Sequence, residues 1–180
     1  MGADPTPRCP DRRRRFLVAY HEAGHAAVGH AQGLTFSVIY LGDAGGQVLF
    51  DLQWDPEEVV REPSLLDRYG LMLLAAAHAE RRRAGRVLGA LWDVETLRRM
   101  LGEARRRGTE PRSGLWARAG AQVAASWPAI EALADELVRR GAPVGDTAAV
   151  LAAYPHLGHT VTETSGPRAR RILDGPGGDS

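Results

Sequence analysis

The chain contains no lysine and no asparagine, has a single cysteine, and carries few aromatic residues. Each scarcity excludes something. All 23 of its basic Lys/Arg positions are arginine, so the chain cannot itself carry a GxxxxGK[ST] nucleotide-binding loop, whose lysine reaches the phosphates. With Cys9 alone it can form neither an internal disulfide nor a cysteine-rich zinc site, which fits a reducing, cytoplasmic setting. The longest apolar run, Leu71 to Ala77, is far short of the roughly 20 residues a membrane span requires. A net charge of +1 predicts no strong attraction to nucleic acid or to an acidic membrane.

What is present describes an ordinary globular chain. Its 180 residues suffice for one domain with a real core, and 44% hydrophobic with 25% charged residues is a usual globular balance. Residues 1–10 hold three prolines and read as a flexible lead-in. Residues 11–154 read as the domain, and 155–180, rich in Gly, Pro, Thr and Arg, as a disordered tail. Asp11 can cap a helix over 12–32 whose apolar stripe runs through Phe16, Leu17, Tyr20, Ala23, Gly24, Ala27 and Val28. The start of this helix, RRRRFL at 12–17, superficially resembles a twin-arginine export signal. His21, Glu22 and His25 interrupt the apolar run such a signal needs.

Two β-prone runs, Leu34–Leu41 and Gln47–Leu52, flank a Gly-rich turn and predict a hairpin, broken after Trp54-Asp55-Pro56. A second helix is expected from Ser64, with Asp67 in an imperfect capping box, to Arg83 before Gly85. Further helices are expected over 93–107, 114–125, 127–140 (Ser126 as cap, Pro128 in the first turn) and 146–154. The expected fold is mainly α, a helical domain with one small β-hairpin.

Within the first helix lies His21-Glu22-Ala23-Gly24-His25. Positions i and i+4 of an α-helix project side by side about one turn apart, so both imidazoles can reach one ion. Zinc takes such nitrogen ligands and, in catalytic sites, leaves a position open for water. Glu22 stands where its carboxylate can serve as the base for that water, so HExxH supplies two ligands and a base on one turn. The competing structural reading is two histidines satisfied within a helix–helix contact. The small residues Ala23 and Gly24 suit the close approach of a second helix. A third protein ligand is required, and the candidates are His30, Asp67, His78, Glu80, Asp93, Glu95, His156 and His159. His30 is out of phase with the pair, and His156 and His159 belong to the expected tail. Spacing does not choose among the others.

The stretch Val18 to Val28 (VAYHEAGHAAV) resembles the active-site helix of the FtsH-type (M41) zinc metallopeptidases. The hairpin 35–52 is similar in place to that family's strands after the zinc helix, and Leu74–Glu80 (LAAAHAE) resembles its small-residue helix ending in acidic residues. Gly89-Ala90-Leu91-Trp92-Asp93 resembles its Gly-Ala-x-x-Asp segment, and residues 115–152 its C-terminal helices. The resemblance spans residues 16–152. It implies a Zn2+ site formed by His21, His25 and Asp93, with Glu22 as general base. Asp93, near a helix start, also reads as an N-cap, and the ligand reading is preferred because the zinc helix needs a partner.

Departures accompany the likeness: no ATPase module, no membrane anchor and no asparagine before the aspartate. The resemblance therefore implies a zinc endopeptidase that acts without a motor of its own on unfolded or short polypeptides, or borrows an ATPase or other partner protein. The hairpin edge near Val48–Asp51 offers strand addition to an extended substrate. An alternative expectation is an inactive, zinc-stabilised adaptor of the same fold. Nucleic-acid binding through the arginine clusters at 12–15, 81–83 and 105–107 is not expected, because acidic residues nearly balance them.

Overall fold

The computed structural model describes residues 10–34, 36–41, 46–50 and 56–140. The expected lead-in, the helix at 146–154, the tail with His156 and His159, and the break at Trp54-Asp55 lie outside the described residues, apart from Pro10. The architecture is mainly helical: α1 (Pro10–Ala31), β1 (Phe36–Leu41), β2 (Gly46–Phe50), α2 (Pro56–Arg61), α3 (Pro63–Ala84), α4 (Leu91–Arg106), α5 (Leu115–Ala125) and α6 (Trp127–Arg140). The two strands pair antiparallel, from Leu41 opposite Gly46 to Phe36 opposite Phe50, with an irregularity between Phe36 and Val38. No helix among the described residues is long and apolar enough to cross a membrane.

Helix α1 is the axis of the molecule. Sequence periodicity marks one apolar stripe, yet Glu22 through His30 are all buried. The reason is that α3, α6 and both strands pack around α1. Small side chains make this possible. A Cβ added at Gly24 would sit 3.0 Å from Ala79 Cβ and 3.1 Å from the Ala75 carbonyl oxygen, so α1 and α3 touch almost backbone to backbone. From the other side α6 contributes Ile130, Leu133 and Leu137, each at most 1% exposed. Such a side chain withdrawn from water contributes about 1.5–3 kcal/mol. Trp127 closes the same contact, its ring 5.7 Å from that of Tyr20.

The helix starts differ from expectation in instructive ways. Helix α3 is capped by Glu62, whose carboxylate accepts from the Ser64 N–H at 3.2 Å, and Pro63 occupies the first turn. Asp67 does not reach back to a cap; it takes the Arg118 guanidinium of α5 in a two-pronged ion pair. Ser126 joins α5 to α6, donating its N–H to the Gln122 carbonyl (2.9 Å) and accepting from Ile130 N–H (3.0 Å). Helix α2 has no counterpart in the sequence reading, which takes Pro56 as part of a break. Its Val59 and Val60 pack with Leu66 and Ala104 in a small second core.

Candidate metal centre

Two helices and one loop build the site. Helix α1 carries His21 and His25 with their Nε2 atoms 3.2 Å apart and their rings nearly perpendicular, at 84°. Asp93 comes from the first turn of α4. Ala90 is the N-cap there, so the Asp93 carboxylate is not spent on capping. It points at the histidines, with Oδ2 3.2 Å from His21 Nε2 and Oδ1 3.5 Å from His25 Nε2. These three residues form a group able to hold a metal ion, each offering one ligand atom. Four donors arranged tetrahedrally about zinc at ~2.0–2.1 Å lie about 3.3–3.4 Å from one another. The two Nε2 atoms, 3.2 Å apart, match that edge, and Asp93 brings one oxygen to each imidazole, Oδ2 to His21 and Oδ1 to His25, so the residues are placed to hold such an ion.

The far side of each imidazole is tied down. His25 Nδ1 lies 3.0 Å from the Met72 carbonyl oxygen, which can only accept, so the proton is on Nδ1 and neutral His25 has its lone pair on Nε2. His21 Nδ1 donates to Glu80 Oε1 at 2.8 Å. Glu80 is 3% exposed and also accepts from the backbone N–H groups of Leu88 and Gly89, the latter at 3.0 Å. Burial raises the Glu80 pKa, but the His21 and backbone hydrogen bonds outweigh it and hold the carboxyl below its ordinary value. This anion fixes the ring orientation of His21 and raises its basicity.

Charge accumulates at the site by design of these contacts. Burial disfavours a charged His21, yet its hydrogen bonds to Asp93 and Glu80 prevail and push it up to about 10. Asp93 is likewise raised by burial but more strongly lowered by its bonds to His21 and His25, and ends well below the usual carboxylate range. A surround that stabilises positive charge on His21 would also favour a metal cation at the same point. Glu22, 4% exposed, is pushed above its ordinary value by burial, with His25 and His21 opposing. Its side chain lies against Gly46 of β2, where an added Cβ would come within 2.4 Å of Glu22 Cγ.

The other sequence candidates are placed elsewhere. His30 faces the Phe36 ring, centroids 6.5 Å apart. His78 meets the Trp116 carbonyl at 2.9 Å and stacks on that indole, outside the His21–His25–Asp93 group. Glu95 pairs with Arg98 at 3.6 Å on the exposed face of α4. Trp92 is 73% exposed and lines the cleft that opens over the histidines. That cleft measures about 840 Å³ and includes Gly46, Gln47 and Val48 of β2 in its wall.

Glu80→Gln removes the anion and one acceptor while keeping the volume. The expected result is a metal affinity about 10–100-fold weaker in a protein that still folds. Competition with a chromophoric chelator measures this, and an unchanged affinity would show that Glu80 does not support the ligand. Comparison with protein-family models and with curated proteins gives no match to this chain.

Proposed function

We propose that the chain is a zinc-dependent endopeptidase of the FtsH type, hydrolysing unfolded or short polypeptides. The observation that carries this reading is the convergence of His21, His25 and Asp93 on one point, with the buried carboxylate of Glu22 beside them in an open cleft. His21, His25 and Asp93 would hold the ion and Glu22 would move protons. Zinc, when bound, supplies the Lewis acidity that polarises a peptide carbonyl and lowers the pKa of water towards ~7. Glu22 accepts the proton of the attacking water as the new C–O bond forms, then delivers it to the departing amide nitrogen as the C–N bond breaks. Its raised affinity for protons suits both halves of that task. Strand β2 along the cleft gives an extended substrate a backbone to lie against.

The test is hydrolysis of an unfolded, casein-like substrate by the zinc-loaded protein. Cleavage should disappear on chelation and return with added zinc. Absence of cleavage at full zinc occupancy would overturn the reading and favour an adaptor that keeps the metal for structure. A finer check follows from Gly46. Gly46→Ala sets a methyl against Glu22 Cγ, Cδ and Oε1, so the Glu22 side chain must shift, and circular dichroism with zinc analysis separates that shift from any loss of fold or metal. Displacing a reacting group by about 1 Å costs roughly 10²-fold. Hydrolysis by Gly46→Ala should fall by that order, and wild-type rates would show that Glu22 does not need the space.

A further inference from the structure

Among the described residues seven large apolar side chains stand exposed, and five of them, Val87, Leu88, Leu91, Trp92 and Val94, fall close together where the loop after α3 runs into α4. The same stretch wraps His21. On one edge of that imidazole Glu80 accepts from Nδ1 and from the Leu88 and Gly89 N–H groups, and a Cβ added at Gly89 would lie 3.5 Å from Nδ1. On the other edge Asp93 brings Oδ2 to 3.2 Å from Nε2. Backbone at one end of the segment and a carboxylate at the other thus grip one histidine of the metal centre. The large side chains between them, Leu91 and Trp92, and Leu88 beside them are left exposed.

These side chains divide by position. Leu88 and Trp92 line the cleft over the metal centre, whereas Val87 and Leu91 lie outside its lining. Trp92 is held in place on one face: the Arg99 guanidinium, further along α4, stands 5.6 Å from the indole centroid. The residue nonetheless keeps most of its surface open to water. An apolar pair exposed over a concave opening is stabilised by an apolar group that enters the opening and displaces that water. A bilayer or a flat partner surface would engage Leu91, the most exposed of the group at 80%. An extended polypeptide lying in the cleft meets Leu88 and Trp92 instead.

We propose that Leu88 and Trp92 form an apolar subsite that takes a large apolar side chain, aromatic above all, of a polypeptide lying in the cleft. Trp92 and Asp93 are consecutive, about 3.8 Å apart at Cα, and an extended peptide advances about 3.3 Å per residue. The side chain resting on the indole therefore belongs to a residue within about two positions of the one that faces the metal centre. The proposal rests on the peptidase reading only in making that residue a neighbour of the bond to be cut; the binding itself does not require cleavage. Half-burying a phenyl group between the two side chains, with ring–ring contact added, favours phenylalanine over serine by about tenfold. Because the contact is apolar, the preference should persist as salt is added.

The experiment uses fluorescent peptides of one polar sequence, carrying Phe, Leu or Ser at each central position in turn. Their Kd for the full, zinc-loaded chain is measured by anisotropy at low and high salt, and cleavage of the same peptides is followed in parallel. The best-placed Phe peptide should bind about tenfold tighter than its Ser counterpart, with Leu between them. Unlabelled, it should shift the tryptophan emission of the wild type but not that of Trp92→Phe, which keeps the preference. Trp92→Ser should bring the Phe/Ser ratio close to one. Leu88→Ser should lower it part of the way while keeping the N–H that Glu80 accepts, and Leu91→Ser should leave it unchanged. Zinc content measured alongside separates these effects from loss of the ion. Equal affinities at every position, or a Phe preference that survives Trp92→Ser or is abolished by Leu91→Ser, would overturn the proposal. So would an absence of peptide binding, and Trp92-dependent attachment to phosphatidylcholine vesicles or self-association would then assign these side chains to a bilayer or to a second copy of the chain. Trp92-dependent preference for Phe without any cleavage would uphold the subsite and sink the peptidase reading, and cleavage indifferent to Phe would do the reverse.

Discussion

Glu22→Gln is expected to lose hydrolysis by a factor of about 10²–10⁴, the usual worth of a positioned acid–base group, while holding as much zinc as the wild type. The argument is geometric. Glu22 is 4% exposed, follows His21 directly and lays its side chain against Gly46. Glutamine matches it in size, so the helix packing around Ala23 and Gly24 has no reason to change. What disappears is a group that can take up and return a proton. Parallel measurement of turnover and zinc content separates this from loss of the ion. Unchanged turnover would remove Glu22 from the chemistry and leave the cleft without a base.

The contrast between what could and could not be read from sequence follows the range of the contacts. The His21–His25 pair was legible because i and i+4 meet on any helix, and that helix announces itself by its spacing. The hairpin likewise showed in two β-prone runs about a glycine cluster. The third donor was not legible from spacing, since it depends on how α4 is set against α1. Asp93 stood out only through the resemblance of its Gly-Ala-x-x-Asp segment. The supports behind the histidines were harder still. The Met72 carbonyl has no sequence signature at all, and Glu80 was one acidic residue among several on later helices. The all-round burial of α1 was hidden by its own polar residues, Glu22, His25 and His30, which interrupt the apolar pattern yet are buried with it. Glu62 won the cap of α3 from Ser64 because Pro63 starts the helix a residue earlier.

Asp93→Ala carries the second large effect. Asp93 is the anionic member of the triad, contacting both histidines, and its loss leaves two neutral donors four residues apart on one helix. Two imidazoles alone hold zinc poorly against buffer and chelator, and the affinity should fall well beyond the roughly 10–100-fold attached to an outer partner. The fold should tolerate the change, because Asp93 neither caps α4 nor belongs to the core. The direct measurement is the zinc content of purified wild type and Asp93→Ala by elemental analysis after identical dialysis. The account predicts about one equivalent in the wild type and essentially none in the variant. Equal zinc in the two proteins, or none in either, would contradict it.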